Sequence, residues 1–142
     1  MGLRSVWQRL IGRGDAAELD PDRPDLIVVA ASFDDAEAAS TALARAELWT
    51  PDAPAVLRHH LRLPADRVES AIALAAQEGY SPAATESDGP TVELILRRVQ
   101  LLDALHCAQE RSRMAGLAQR HDGVALGWDA LQPEAKEVAP PH

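Results

Sequence analysis

The continuously apolar run Leu26-Ile27-Val28-Val29-Ala30-Ala31 is partly β-branched and predicts a strand buried on both faces. It gives way to Ser32-Phe33-Asp34-Asp35, where Asp34 or Asp35 can cap a helix N-terminus. Ala36, Ala39, Leu43 and Ala46 then recur at helical spacing, and Pro51 sets the limit of that helix. Residues 56–63 alternate with period two. Leu57, His59, Leu61 and Leu63 fall on one face of a strand, and Val56, Arg58, His60 and Arg62 on the other. Pro64 suits the first turn of a helix whose apolar stripe is Val68, Ala71, Ile72 and Ala75. Gly79 stops it, and Tyr80 is placed to pack back on the sheet. Residues 81–87 and 91–99 read as a hairpin turning at Asp88-Gly89, with Pro82 weakening its first arm. Residues 101–121 carry the longest helical pattern, with Leu101, Leu105, Ala108 and Ala115 on one stripe and Met114, Leu117 and Ala118 beside it. Asp122-Gly123 ends it, and 124–131 predicts a last strand.

From residue 55 onward the order is strand, helix, strand, strand, helix, strand. This predicts an α+β domain of ferredoxin-like βαββαβ topology, an antiparallel sheet with helices on one face. Residues 26–48 add an N-terminal strand and helix, so one domain spans 26–132. Residues 1–14 place Leu3, Val6, Trp7, Leu10 and Ile11 at helical spacing with Arg4, Arg9 and Arg13 and no acid, a short basic amphipathic helix. A helix resting on the domain or docking a partner is preferred over a membrane-surface anchor, although the pattern fits both. Residues 15–25 are acidic and contain Pro21 and Pro24, as a linker would. Residues 133–142, with Pro140 and Pro141, read as a disordered tail.

Composition narrows the function classes. The chain has 142 residues with a net charge of −8, enough for one core without staples and the wrong sign for nonspecific binding to nucleic acid. The single Cys107 cannot form an internal bridge, which favours a reduced, cytoplasmic compartment. All 14 basic residues except Lys136 are arginine, a bias of GC-rich bacterial coding.

Neighbouring His59 and His60 point to opposite faces of a strand, so they do not form a ligand pair, and no metal or cofactor is expected. Cys107 lies beyond the first turn of its helix, and His106 does not face it, so the thiol reads as structural. Asp34 and Asp35 are accounted for by capping. Phosphate loops and serine elbows are absent, so no catalytic set is expected. What stands out is a basic stripe on one sheet face: Arg58, His60 and Arg62 with Arg97 or Arg98. The strands that carry it have no aromatic residue to stack a base, so the stripe suits an acidic protein surface better than RNA.

Several of these features together resemble a known family over residues 55–133. They are the His59-His60 strand followed by a helix and Gly79-Tyr80, the Asp88-Gly89 hairpin tip, and the long helix running into Asp122-Gly123 and a strand with Gly127-Trp128. The pattern resembles the regulator of ribonuclease E activity B (RraB-like) family. It departs from the family in having Ala125 and Leu126 where an aromatic and an acid usually precede the Gly-Trp pair, and a basic rather than acidic N-terminal helix. The resemblance implies a noncatalytic regulator that binds ribonuclease E or a related endoribonuclease. Its expected interface is Arg58, His60, Arg62, Arg97, Arg98 and Trp128. The alternatives are a small-molecule-sensing dimeric α+β module and a membrane-peripheral protein docked by its N-terminal helix.

Overall fold

The computed structural model describes residues 19–134. The expected basic helix at 1–14 and the tail beyond residue 134 lie outside the described residues. The described elements are β1 (Leu26–Ser32), α1 (Ala39–Ala44), β2 (Ala55–Pro64), a 3₁₀ turn (Ala65–Arg67), α2 (Val68–Ala76), β3 (Ser81–Asp88), β4 (Thr91–Gln100), α3 (Ala104–Arg120) and β5 (Val124–Pro133). The strands form one sheet in the order β1-β5-β2-β4-β3, and every neighbouring pair is antiparallel. The protein is therefore α+β, with β2 at the centre and β1 and β3 at the edges.

The period-two pattern of β2 sets the two faces. Leu57, His59 and Leu61 stand opposite Arg98, Leu96 and Leu94 on β4, and opposite Ala130, Trp128 and Ala125 on β5. These residues face the helices. The core they build has two clusters: Leu57, Trp128 and Ala130 under Leu43 of α1, and Leu61, Leu63, Leu94 and Leu96 under Ala71 and Ala75 of α2. Helix α3 spans both, giving Cys107 to the first and Met114, Leu117 and Ala118 to the second.

Four elements differ from the pattern-based expectation, each for a local reason. Helix α1 begins at Ala39 rather than near Ala36, because Asp34 closes a turn instead of capping. Its Oδ1 accepts from Ala36 N at 2.9 Å, and its carbonyl accepts from Glu37 N at 3.0 Å. Pro64 closes β2 and precedes the 3₁₀ turn, so α2 starts at Val68. The arm with Pro82 is a full strand because it lies at the sheet edge. Its register slips between Pro82 and Ala84, where a missing N–H is tolerated. Helix α3 buries Cys107, Glu110, Met114, Leu117 and Ala118 and leaves Leu105, Ala108 and Ala115 exposed, so it packs by the flank that carries Met114, Leu117 and Ala118 and not by the stripe through Leu105. An acid inside the buried stripe disguised it.

The helix ends follow ordinary chemistry. Asp103 caps α3 by accepting from His106 N at 2.7 Å. At the other end Asp122 adopts φ 62°, and Gly123 N returns to Ala118 O at 2.8 Å. A Cβ at Gly123 would lie 2.3 Å from Arg62 O, so the turn into β5 needs glycine there. At the outer edge Arg45 Nη2 donates to the Ala31 carbonyl at 2.7 Å. The same guanidinium pairs with Glu37, which also accepts from Ser32 Oγ.

Candidate functional site

Among the described residues no helix covers the second face of the sheet, so the site is built there. Side chains alternate, and Arg58, His60 and Arg62 of β2 share this face with Arg97, Ile95 and Glu93 of β4 and with Asp129 and Gly127 of β5. The expected stripe does form, but its charges are largely compensated. Arg58 donates from Nε and Nη2 to the two oxygens of Asp129, each at 2.7 Å, a bidentate pair with Asp129 buried. Arg97 Nη1 donates to Pro21 O at 3.2 Å and to Asp22 Oδ1 at 3.0 Å. The acidic stretch therefore lies on the domain from residue 20 onward, and Leu19 before it is buried. Arg62 is exposed and makes no ion pair among the described residues.

His60 was expected at the surface and is instead 9% exposed. Its Nε2 lies 3.2 Å from Asp129 Oδ2, and its Nδ1 lies 3.6 Å from Glu93 Oε2. Phe33, in the loop after β1, covers it edge-on at 5.1 Å between ring centroids. That approach depends on Gly127, which has φ 151° in β5: a Cβ there would fall 2.4 Å from Phe33 Cδ1 and 2.6 Å from Ser32 O. Burial alone would raise the Asp129 carboxyl, but the bonds to His60 and Arg58 outweigh it and hold the group below its ordinary value.

Two expected interface residues are on the wrong side. Trp128 has no accessible surface and belongs to the core beneath α1, because it pairs with His59 and so faces the helices. Arg98 also faces the helices, since it pairs with Leu57. Its Nη2 lies 2.7 Å from Glu110 Oε2, its Nη1 donates to Glu78 O, and its guanidinium covers the Tyr80 ring at 4.3 Å. Arg97 and Arg98 are consecutive on a strand, and only one could join the stripe.

Arg98 leads to a second polar arrangement inside the core that the sequence reading missed. Glu110 accepts from Tyr80 Oη at 2.5 Å and from Gln100 Nε2 at 3.0 Å, between the two apolar clusters. Burial alone would raise its carboxyl; neighbouring His59, the Tyr80 and Gln100 donors and the Arg98 charge bring it down to about 2. The same surroundings push the Tyr80 hydroxyl up, burial first and Glu110 second. The signal in the sequence was the spacing of Glu110 three residues after Cys107 and four before Met114, which puts it on the buried side of α3. Asp129 was the corresponding signal on β5, the one acid in a strand that is otherwise without polar side chains up to Leu131.

Cys107 is buried, and burial pushes its thiol up to about 12. Among the described residues no three His, Cys, Asp or Glu side chains converge as metal ligands, and no helix is long and apolar enough to cross a membrane. No protein-family model matches the chain, and no curated protein matches it.

Proposed function

We propose that this protein is a noncatalytic adaptor or regulator that binds a protein partner through the face of its sheet that carries Arg58, His60 and Arg62. In this reading residues 55–133 are a ferredoxin-like βαββαβ unit, with the strand order β5-β2-β4-β3, and β1 and α1 extend it. The observation that carries the proposal is the patch formed by Phe33, His60, Glu93 and Arg62. There a half-exposed aromatic ring, held over Gly127, stands beside the buried His60 ring and the Glu93 carboxylate, with the Arg62 guanidinium making no ion pair among the described residues. Aromatic and arginine side chains on a rigid platform are the groups that dominate protein interfaces. With Arg58 and Arg97 matched by Asp129 and Asp22, the described residues of the face lack the run of free cations that a phosphate backbone requires. A protein partner is therefore favoured over RNA. Ribonuclease E is the first partner to test, on the strength of the resemblance in the Gly79-Tyr80, Asp122-Gly123 and Gly127-Trp128 pattern.

The test is binding of the full chain to purified ribonuclease E, together with its effect on RNA cleavage. The comparison is with Phe33→Ser and Arg62→Glu, two exposed substitutions that leave the Arg58 and Asp129 pair in place. Each variant should keep the wild-type melting temperature within a few degrees and weaken binding by tenfold or more, about 1.4 kcal/mol. Undiminished binding by both folded variants would remove the face from the proposal. No binding by the wild type would remove ribonuclease E.

A further inference from the structure

The chain ahead of β1 crosses the face of the sheet that carries Arg58 and Arg97. Asp25 O accepts from Glu134 N at the end of β5, and Pro21 O and Asp22 meet Arg97 on β4, two strands away. Leu19, two residues before Pro21, is 7% exposed and belongs to neither core cluster. Val56, on the same side of β2 as Arg58, has no accessible surface and also belongs to neither. Both are therefore covered on this side of the sheet, away from the helices. Arg97 Nε is buried too, with no hydrogen-bond partner among the described residues. An open buried donor costs stability, and an acceptor on the chain before Leu19 would relieve it.

Further along the same face the chemistry suits the sequence that precedes Leu19. Ile95 stands opposite His60, and Phe33, which covers His60, is 53% exposed, so apolar surface is available there. Glu86 of β3 lies directly across from Glu93 of β4, an unfavourable pair of like charges on one face. Arg62, across from Glu93 on β2, forms no ion pair with either among the described residues. Residues 1–14 supply what is missing: Leu3, Val6, Trp7, Leu10 and Ile11 at helical spacing, and three arginines with no acid, in a chain of net charge −8. The lengths agree as well. A helix spans about 14 Å from Arg13 to Arg4, and β4 spans about 14 Å from Arg97 to Glu93. With Arg13 near the point where the chain meets Arg97, Arg4 comes level with Glu93 and Glu86.

We infer that residues 1–14 of this chain pack as a helix on the Arg58 and Arg97 face, with Trp7 and Leu10 against Ile95 and Phe33 and with Arg4 at the Glu86 and Glu93 pair. The segment then competes with a protein partner for that face; this consequence rests on the reading above, whereas the docking does not. The test is paramagnetic broadening in the ¹⁵N-labelled full chain. A nitroxide is placed on Ser5→Cys, on the polar side of the segment, with Cys107→Ala to leave a single thiol. Amides of 58–62 and 93–97 should lose most of their intensity, while those of 108–118, on the far side of the sheet, keep most of theirs. Adding Trp7→Ser should restore the intensity on both strands. The inference is overturned by broadening centred on 108–118, by no broadening of either strand, or by an undiminished effect with Trp7→Ser. It is also overturned by equal broadening of an untagged ¹⁵N chain mixed with tagged unlabelled chain, which would mean that a second copy is the occupant. Trp7→Ser in the chain that keeps Cys107 gives an answer without the tag: amides of the two strands should shift and those of 108–118 stay in place, and the reverse overturns the docking. Ribonuclease E takes no part in these measurements, so its failure to bind leaves the docking standing, and failure of the docking leaves the partner face to its own test.

Discussion

Glu110→Gln is the most exacting test of the polar layer between the two core clusters. The side chain is 4% exposed, and its carboxyl titrates at about 2 instead of 4.5. A carboxyl depressed by folding contributes stability that is complete above its unfolded value and disappears as the pH falls through its folded one. The distance from 4.5 to about 2 corresponds to about 3 kcal/mol at pH 7. By the same linkage about 1.5 kcal/mol survives at pH 3, and less than about 0.5 kcal/mol at pH 2. Glutamine can still accept from Tyr80, but it offers Arg98 no charge. The variant should therefore be less stable than the wild type by about 3 kcal/mol at pH 7, with the gap closing to about half that at pH 3. Urea unfolding at pH 7, 5, 4 and 3, read by tryptophan fluorescence, measures it. Depressed carboxyls elsewhere, Glu37 and Asp129 among them, are present in both proteins and cancel. A gap that stays constant across this range, or widens in acid, would refute the assignment of the charge to Glu110.

Two further outcomes follow from the same geometry. Gly127→Ala should cost about 2 kcal/mol or more, because the added methyl meets the Ser32 carbonyl, which is main chain and cannot swing aside as Phe33 can. A melting-temperature change of less than about 2 °C would contradict that close approach. Cys107, buried with its thiol near 12, should react with a disulfide reagent at pH 8 only as fast as the protein opens. The labelling rate should rise with urea; rapid labelling in native buffer would show an accessible thiolate.

The parts of the fold that could be read from sequence were those with a clean period. The alternation of Leu57, His59, Leu61 and Leu63 identified the helix side of β2, and with it the side on which Arg58, His60 and Arg62 lie. Asp122-Gly123 marked a helix end because few other pairs supply a left-handed step followed by a close backbone approach. What could not be read depended on partners distant in the chain. The stripe looked basic because Asp129 and Asp22 reach Arg58 and Arg97 only through the pairing of β5 and the path of the chain before β1. Trp128 looked like an interface residue because a tryptophan after glycine carries no mark of which side it faces; only its register with His59 assigns it to the core. Phe33 was not selected as a site residue, since its position over His60 is created by a loop and by the absence of a side chain at Gly127.

The Arg45 contact at the rim of the sheet has a consequence for self-association. An outermost strand as apolar as β1 invites another molecule to add a strand of its own, the first step toward open-ended aggregation. Here a guanidinium occupies the Ala31 carbonyl, and its grip on Glu37, whose carboxyl is held at about 2 by the bonds from Arg45 and Ser32, keeps that pair charged well into acid. An incoming strand would have to break both contacts before gaining its first main-chain bond there. At the opposite rim Pro82 offers no N–H to pair. Each margin of the sheet thus carries a different chemical stop against growth.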